Sequence, residues 1–411
     1  MFHLCSIRGY FLPGWVIAGS IALTCAGHAQ TRSTDNTNAR EIARLVGQLG
    51  SEDFDIRERA GQKLLEFGAD AYDAVNEAAR SAADAEVRYR ARELLTSLAR
   101  RKFAAVRRFD DHRDIVWTVA FSPDCRFVAT GGGGDETDGN WTAGSDFDVR
   151  VWNAATGELV KKLAGHTSSI NCLVWSADGK LLATASSDSS AILWDVTSGK
   201  PRHTFKGHTA AVSSVCLSAD GKRLVTGGWD ASVIVWNAET GQEEKRLAGH
   251  YGRVWDVALS PDGKTAAVCG DHPFIRLWDL DKAAIRAELQ GHEQAAVRVA
   301  FSPDGTRLLS GGWDNTARIW TIKDAKYALA KTFAGHTGRV EGLAWCADGR
   351  RFVTGSLDHT VKLWDVETGA AVQSYEEHTK AIARVAASAD GRHVASASWD
   401  HTTRLWPMPK P

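Results

Sequence analysis

The sequence predicts an all-β domain of seven similar units preceded by a small helical region. A pattern recurs about every 42 residues from Asp110 to the end of the 411-residue chain. A fixed period of that size means stacked supersecondary units that bury a shared core. Within each copy, short apolar runs are separated by turn residues, as at Asp220-Gly221, a pair suited to hairpins because it tolerates positive φ. Ahead of the copies, residues 40–101 turn to Ala, Leu, Arg and Glu with apolar residues at helical spacing.

Lys206–Leu247 shows the unit clearly: Gly207-His208, an apolar run, a Ser-Ala-Asp-Gly turn, a run ending at Thr226, a turn with Asp230, and a run ending at Trp236-Asn237. VSSVCL and VIVW are rich in β-branched and aromatic residues, which suit a pleated, packed surface. EEKRL supplies a fourth, more polar strand.

These copies resemble the WD-repeat family. Its Gly-His position reads Asp111-His112, Gly165-His166, Gly207-His208, Gly249-His250, Gly291-His292, Gly335-His336 and Glu377-His378. Its Trp-Asp position reads Trp152-Asn153, Trp194-Asp195, Trp236-Asn237, Trp278-Asp279, Trp320-Thr321, Trp364-Asp365 and Trp406-Pro407. The resemblance implies a seven-bladed β-propeller, one four-stranded sheet per blade. It also implies that a His, a hydroxyl, an Asp and the Trp of each repeat form a buried hydrogen-bonded chain. The sets are His112, Thr130, Asp146, Trp152; His166, Thr184, Asp188, Trp194; His208, Thr226, Asp230, Trp236; His292, Ser310, Asp314, Trp320; His336, Thr354, Asp358, Trp364; and His378, Ser396, Asp400, Trp406. The hydroxyl and indole N–H need buried partners, which His and Asp can supply. A catalytic triad is the competing reading of these residues, but one active site needs no periodic copies. The fourth repeat has Val268 and His272 where the hydroxyl and carboxylate belong, so its chain should be broken.

In chain order, residues 1–29 read as a secretory signal peptide. Arg8 supplies a weak positive region, Trp15–Ala26 an uncharged apolar run, and Gly27-His28-Ala29 a small-residue cleavage site. The run is too short for a comfortable transmembrane helix. The expectation is an exported protein, periplasmic or extracellular, without a membrane span after cleavage. The alternative is a cytoplasmic chain with a misread start. Residues 30–39 are polar and aperiodic and read as a linker. Within residues 40–101, Ile56, Ala60, Leu64 and Phe67, then Val87, Ala91, Leu94 and Leu98, mark helices, with Ser51 as a cap and Gly68 as a stop. IRERAGQKLL and VRYRARELL lie about 31 residues apart, so this region looks like a pair of HEAT-type hairpins. Lys102–Phe109 matches the fourth strands, and the last repeat stops after its third. Phe103–Phe109 should therefore close the last blade and remove two open sheet edges.

A formal net charge of −1 excludes a global electrostatic footprint for nucleic acid. Of seven cysteines five follow the leader, one per blade in five blades, which is no disulfide framework. Cys172, Cys216 and Cys269 read as small buried hydrophobes. The first repeat carries an insert, GGGGDETDGNWTAG. It is no phosphate loop, since no Lys-Ser or Lys-Thr follows. Asp135, Glu136, Asp138, Asp146 and Asp148 could offer oxygens to calcium, but at no recognised spacing, so a solvated insert is the favoured reading. Asn140-Trp141-Thr142 is a formal glycosylation sequon. No cofactor, metal or catalytic motif is expected.

The chain has 16 tryptophans. Beyond the seven of the repeats, Trp175 and Trp345 end first strands and read as core. Trp229, Trp313 and Trp399 each precede a repeat Asp in a turn that, in the family, lies on the face where partners bind. Trp117 and Trp255 should lie on the same face near the channel, with Arg253, Arg339 and Trp141 around them. Aromatic residues are enriched at binding hot spots. The leading expectation is a non-enzymatic scaffold for protein partners. A propeller binding a small molecule or glycan at the channel mouth, with or without catalysis, is the alternative. Tryptophans that merely pack on neighbouring turns would leave no site.

Overall fold

The computed structural model describes residues 26–137, 140–247, 249–250, 252–323 and 326–410, with backbone alone for 26–36, 136–137 and 140–141. The chain divides at Lys102/Phe103 into two compact units. The signal-peptide reading lies outside the described residues over 1–25.

The first unit is helical: α1 (Ala26–Gln48), α2 (Phe54–Phe67), α3 (Tyr72–Ser81) and α4 (Ala85–Lys102). The stretch read as a linker is part of α1, which corrects that expectation. No Pro interrupts it, and extending an existing helix is cheap whether or not a residue is apolar. The cap of α2 is Asp53 rather than Ser51; its carboxylate accepts from Asp55 N at 2.8 Å and Ile56 N at 3.2 Å. The repeat seen in sequence is geometric. Asp84 caps α4 as Asp53 caps α2. Arg57 donates to the Ser51 and Glu52 carbonyls, as Arg88 does to those of Ala82 and Ala83. Ile42, Leu45, Leu49, Leu64, Val75, Val87 and Leu98 form the core.

The second unit is a seven-bladed propeller of seven four-stranded antiparallel sheets. Blades one to six take their four strands consecutively. Blade seven takes Ile382–Ala387, His393–Ser398 and Thr403–Pro407, and its outer strand is Arg107–Phe109. Arg107 pairs with Leu405 and Phe109 with Thr403. The closing strand is shorter than Phe103–Phe109, because α4 runs to Lys102 and the next residues turn. Phe109 is 1% exposed and packs on Trp152 of blade one, ring centroids 5.2 Å apart. Closure therefore joins the two ends of the repeat array through the core.

Successive blades stack face to face. Ala183, Leu193 and Phe205 of blade two meet Val215, Leu224 and Trp236 of blade three. Trp175 and Trp345 reach across blade boundaries to the carbonyls of Ala120 and Ala300 at 3.3 and 3.1 Å. The Ser-x-Asp-Gly turns repeat one wiring. Ser218 Oγ donates to Asp220 at 2.6 Å, and Asp220 accepts from Lys222 N at 3.0 Å. Gly221 there has φ 69°; blade one has Cys125 at the equivalent place with φ 59°, a conformation that disfavours any side chain.

Every first strand carries a β-bulge at one place. In blade one Val116 pairs with Gly132 and Thr118 with Gly131, so Trp117 is skipped. The skipped residues elsewhere are Asn171, Ser213, Trp255, Val297, Glu341 and Ala383. Bulges re-aim side chains, and all of these but the buried Val297 line the channel mouth.

Candidate functional site

Six blades hold the hydrogen-bonded chain. The Trp N–H donates to the hydroxyl at 2.8–2.9 Å. The hydroxyl lies 2.7–2.8 Å from His Nε2. In five blades His Nδ1 lies 2.7–3.0 Å from the Asp carboxylate. In blade one Arg150 intervenes. Its Nη1 is 3.0 Å from His112 Nδ1 and donates to Asp146 at 2.8 Å, while His112 and Asp146 are 3.4 Å apart. Burial raises the pKa of Asp188, Asp314, Asp358 and Asp400, but the adjacent His and hydroxyl donors outweigh it and hold each carboxyl below the usual range. Burial lowers the pKa of His208 and His378. Ser310 and Ser396 are 0% exposed, so no substrate can reach these hydroxyls. Each set ties together the strands and entry loop of its own blade.

In blade four the chain is broken, and its loose ends are visible. His250 Nε2 and Trp278 Nε1 are buried without a hydrogen-bond partner. Burial and the Arg276 charge lower the His250 pKa to about 4. Val268 pairs with Val257 and Arg276 in the register that Thr226 takes with Val215 and Ile234. Val268→Thr should supply both orphaned groups and raise the unfolding free energy by about 1 kcal/mol. Denaturant melts check this. The sign is diagnostic, because a buried hydroxyl that found no partner would destabilise.

The candidate binding site is a cup of about 520 Å³ at the channel mouth. Three tiers of the fold build it. The bulge residues Trp117, Asn171, Ser213, Trp255, Glu341 and Ala383 form its lower wall. The turn residues Ser187, Trp229, Trp313, Leu357 and Trp399 stand above them. Backbone bonds pin these turns to the loop before the first strand, as Trp229 N to Ala211 O at 2.8 Å and Trp313 N to Ala295 O at 2.9 Å. That loop contributes Ser169, Arg253 and Arg339.

The tryptophans form a trio and a pair. Trp255 sits between Trp229 and Trp313, centroids 5.4 and 5.9 Å away. Trp117 meets Trp399 edge to face at 5.6 Å. All five are at least partly exposed, and Trp229 is 40% exposed. Several indole N–H groups are spent within the protein. Trp117 donates to Gly133 O at 2.7 Å, Trp255 to Asp271 at 2.8 Å and Trp313 to Glu341 at 2.9 Å. These bonds fix the rings at the wall of the cup. Arg253 lies over Trp229 and Trp255 at 5.5 and 5.0 Å, and Arg339 over Trp313 at 4.2 Å, distances at which cation–π attraction operates.

Below the cup, Arg384 of blade seven reaches across to Asp256 of blade four, Nη2 to Oδ1 3.4 Å, and its Nη2 is 3.0 Å from Cys172 Sγ. Asp256 also accepts from Ser214 Oγ at 2.6 Å and Val299 N at 3.2 Å. Burial opposes the Arg384 charge, but the Asp256 carboxylate more than offsets it and raises the Arg384 pKa above its ordinary value. This network forms a floor that sequence reasoning did not find. Asp256 and Arg384 belong to different repeats, and no local spacing links them.

The first-blade insert forms a hairpin, Asp135–Thr137 with Asn140–Thr142, and Thr142 reaches the cup. Asp135 pairs with His401 of blade seven at 3.1 Å, and Asp146 is held by Arg150. Among the described residues no group of His, Cys, Asp or Glu could hold a metal. The side chains of Glu136, Asp138 and Trp141 lie outside the described residues.

A closed propeller of seven sheets, six of them cross-linked by the same buried set, defines a repeat protein built around one central mouth. The chain belongs to the family described as WD domain, G-beta repeat. Its model matches residues 103–153, 157–195, 199–237, 241–279, 284–321, 328–365 and 369–407. Propellers of this family are generally scaffolds without enzymatic activity and usually bind protein partners. Among curated proteins, an uncharacterized WD repeat-containing protein of Schizosaccharomyces pombe is 32% identical over 79 residues, 19% of this chain and 17% of its own. The probable cytosolic iron-sulfur protein assembly protein 1 of Kluyveromyces lactis is 37% identical over 87 residues, 20% of this chain and 25% of its own. The matches thus cover a quarter or less of those relatives. Among the described residues no helix is long and apolar enough to cross a membrane.

Proposed function

We propose that this chain is a non-enzymatic scaffold that binds a protein partner at the channel mouth. The observation that carries the reading is the convergence of Trp117, Trp229, Trp255, Trp313 and Trp399 on one cup. Rigid rings offer contact area at low entropy cost, and truncating a hot spot costs about 2 kcal/mol or more. An affinity pull-down with the chain from Gln30 onward should capture a partner. The triple variant Trp229→Ala, Trp313→Ala, Trp399→Ala should bind that partner at least ~30-fold more weakly at unchanged melting temperature. Equal capture would return these tryptophans to mere packing.

The volume of the cup also suits a small molecule or glycan. Unpaired carboxylates converging near Trp117 and Trp255 would favour such a ligand. Asp271 and Glu341 are there, but each accepts from an indole N–H and faces an arginine. The protein-binding reading is therefore preferred. Export to the periplasm or cell exterior is part of the proposal and rests on the leader-like residues 1–29 alone. N-terminal sequencing of the natural protein should begin near Gln30; an intact Met1 in a soluble cytoplasmic fraction overturns it.

A further inference from the structure

The charges around the cup narrow the chemistry of its occupant. Arg253, Arg298 and Arg339 line it, and among the described residues Glu341 supplies the one carboxylate of the lining. Two of the arginines are committed. Arg298 Nε donates to the Glu341 carbonyl at 2.6 Å, and its Nη2 lies 3.7 Å from the Glu341 carboxylate. Arg253 pairs with Asp271 at 3.1 Å, which also accepts the Trp255 N–H. Burial raises the Asp271 pKa, but these donors outweigh it and keep the carboxyl below its ordinary value.

Arg339 is different. Its guanidinium lies 4.2 Å from the Trp313 ring centroid. Among the described residues, no carboxylate or hydrogen-bond acceptor meets that guanidinium. The neighbouring carboxylate, Glu341, already accepts Trp313 Nε1 at 2.9 Å and faces Arg298. A ring contact engages the face of a guanidinium and leaves its N–H donors for an acceptor from outside. The chain as a whole carries a formal charge of −1, so this excess of positive charge is local to the cup.

We propose that the cup takes an acidic peptide segment of the partner protein, with a Glu or Asp carboxylate seated on Arg339. The peptide's neighbouring apolar side chain lies against Trp229, the most exposed of the five rings. This rests on the mouth being the working surface. A neutral glycan would cover Arg339 without a counter-charge. A basic segment would meet three arginines. A nucleic-acid strand needs cations along its track, whereas the cations lining this cup are those of blades four, five and six.

The test uses the full chain and fluorescently labelled heptapeptides, apolar residues flanking a central Glu, Asp, Gln, Asn or Lys. Peptides with central Glu or Asp should bind about tenfold or more tightly than their amide matches. That preference should weaken with added salt and vanish in Arg339→Gln. Arg339→Lys, which keeps the charge without the planar fork, should restore part of it. Melting curves monitor the fold, and the salt dependence of the wild-type chain decides the matter without any variant. Equal binding of Glu and Gln peptides, or an unchanged preference in Arg339→Gln, overturns the proposal. So does tighter binding of a labelled oligothymidine. A captured partner lost by the triple tryptophan variant but indifferent to Arg339→Gln and to salt overturns the acidic-peptide assignment alone. A partner indifferent to both sets of substitutions overturns the mouth as the working surface as well.

Discussion

Replacing Asp256 by alanine is expected to lower the unfolding free energy by about 3–5 kcal/mol, the cost of leaving a buried charge without its partner. Arg384 would keep its guanidinium under the cup with only Cys172 Sγ nearby, while Ser214 Oγ and Val299 N would lose an acceptor. The Asp256 side chain is 7% exposed, so water cannot readily take its place. Replacing both partners with apolar residues, Asp256→Leu with Arg384→Met, should recover much of the loss, because the double variant no longer buries an uncompensated charge. Denaturant unfolding of the two variants is the measurement. A loss below about 1 kcal/mol for Asp256→Ala would mean that the pair is a solvated surface contact and that the channel is open where a floor is assigned.

Removing residues through Phe109 is expected to abolish cooperative unfolding of the propeller, whereas removing residues through Lys102 leaves it cooperative. The two truncations differ by seven residues, Phe103–Phe109, and both lack the helical unit, so the comparison isolates the closing strand. The longer deletion strips the Thr403–Leu405 edge of its partner and uncovers Trp152, on which Phe109 packs. An open edge beside an apolar surface is a template for pairing with another chain, so light scattering should rise together with the loss of a sharp transition. Matching melts for the two truncations would show that blade seven is stable with three strands.

Much of this architecture was legible because it is periodic. A repeated His, hydroxyl, Asp and Trp can be read in any one copy and checked against the others. The break at Val268 was visible as a departure from that period, and it coincides with the orphaned His250 and Trp278 nitrogens. The closing strand was legible for the same reason, although only Arg107–Phe109 enters the ladder. The helical unit was read less well. Ser51 and Asp53 are both good caps, and only the backbone path decided for Asp53. The polar start of α1 has no apolar period to betray a helix.

The cup was half legible. The turn tryptophans share one repeat position, so a common face followed from the period alone. Their partition into a trio and a pair did not, because it depends on which blades place Trp117 and Trp255 beneath them. The bulges in the first strands were also hidden. An uninterrupted strand would alternate its side chains, and nothing in the apolar pattern announces the skipped residue that turns Trp117, Trp255 and Glu341 to the mouth.

By itself, then, the sequence determined the number of blades, the buried set within six of them and the source of the closing strand, since each is a local pattern repeated or conspicuously missing. The grouping of the cup's tryptophans, the lack of a counter-charge at Arg339 and the Asp256–Arg384 floor were decided only by the tertiary structure. Closing seven sheets into a ring brings together side chains 128 residues apart, and no local periodicity records which blades face one another across a channel.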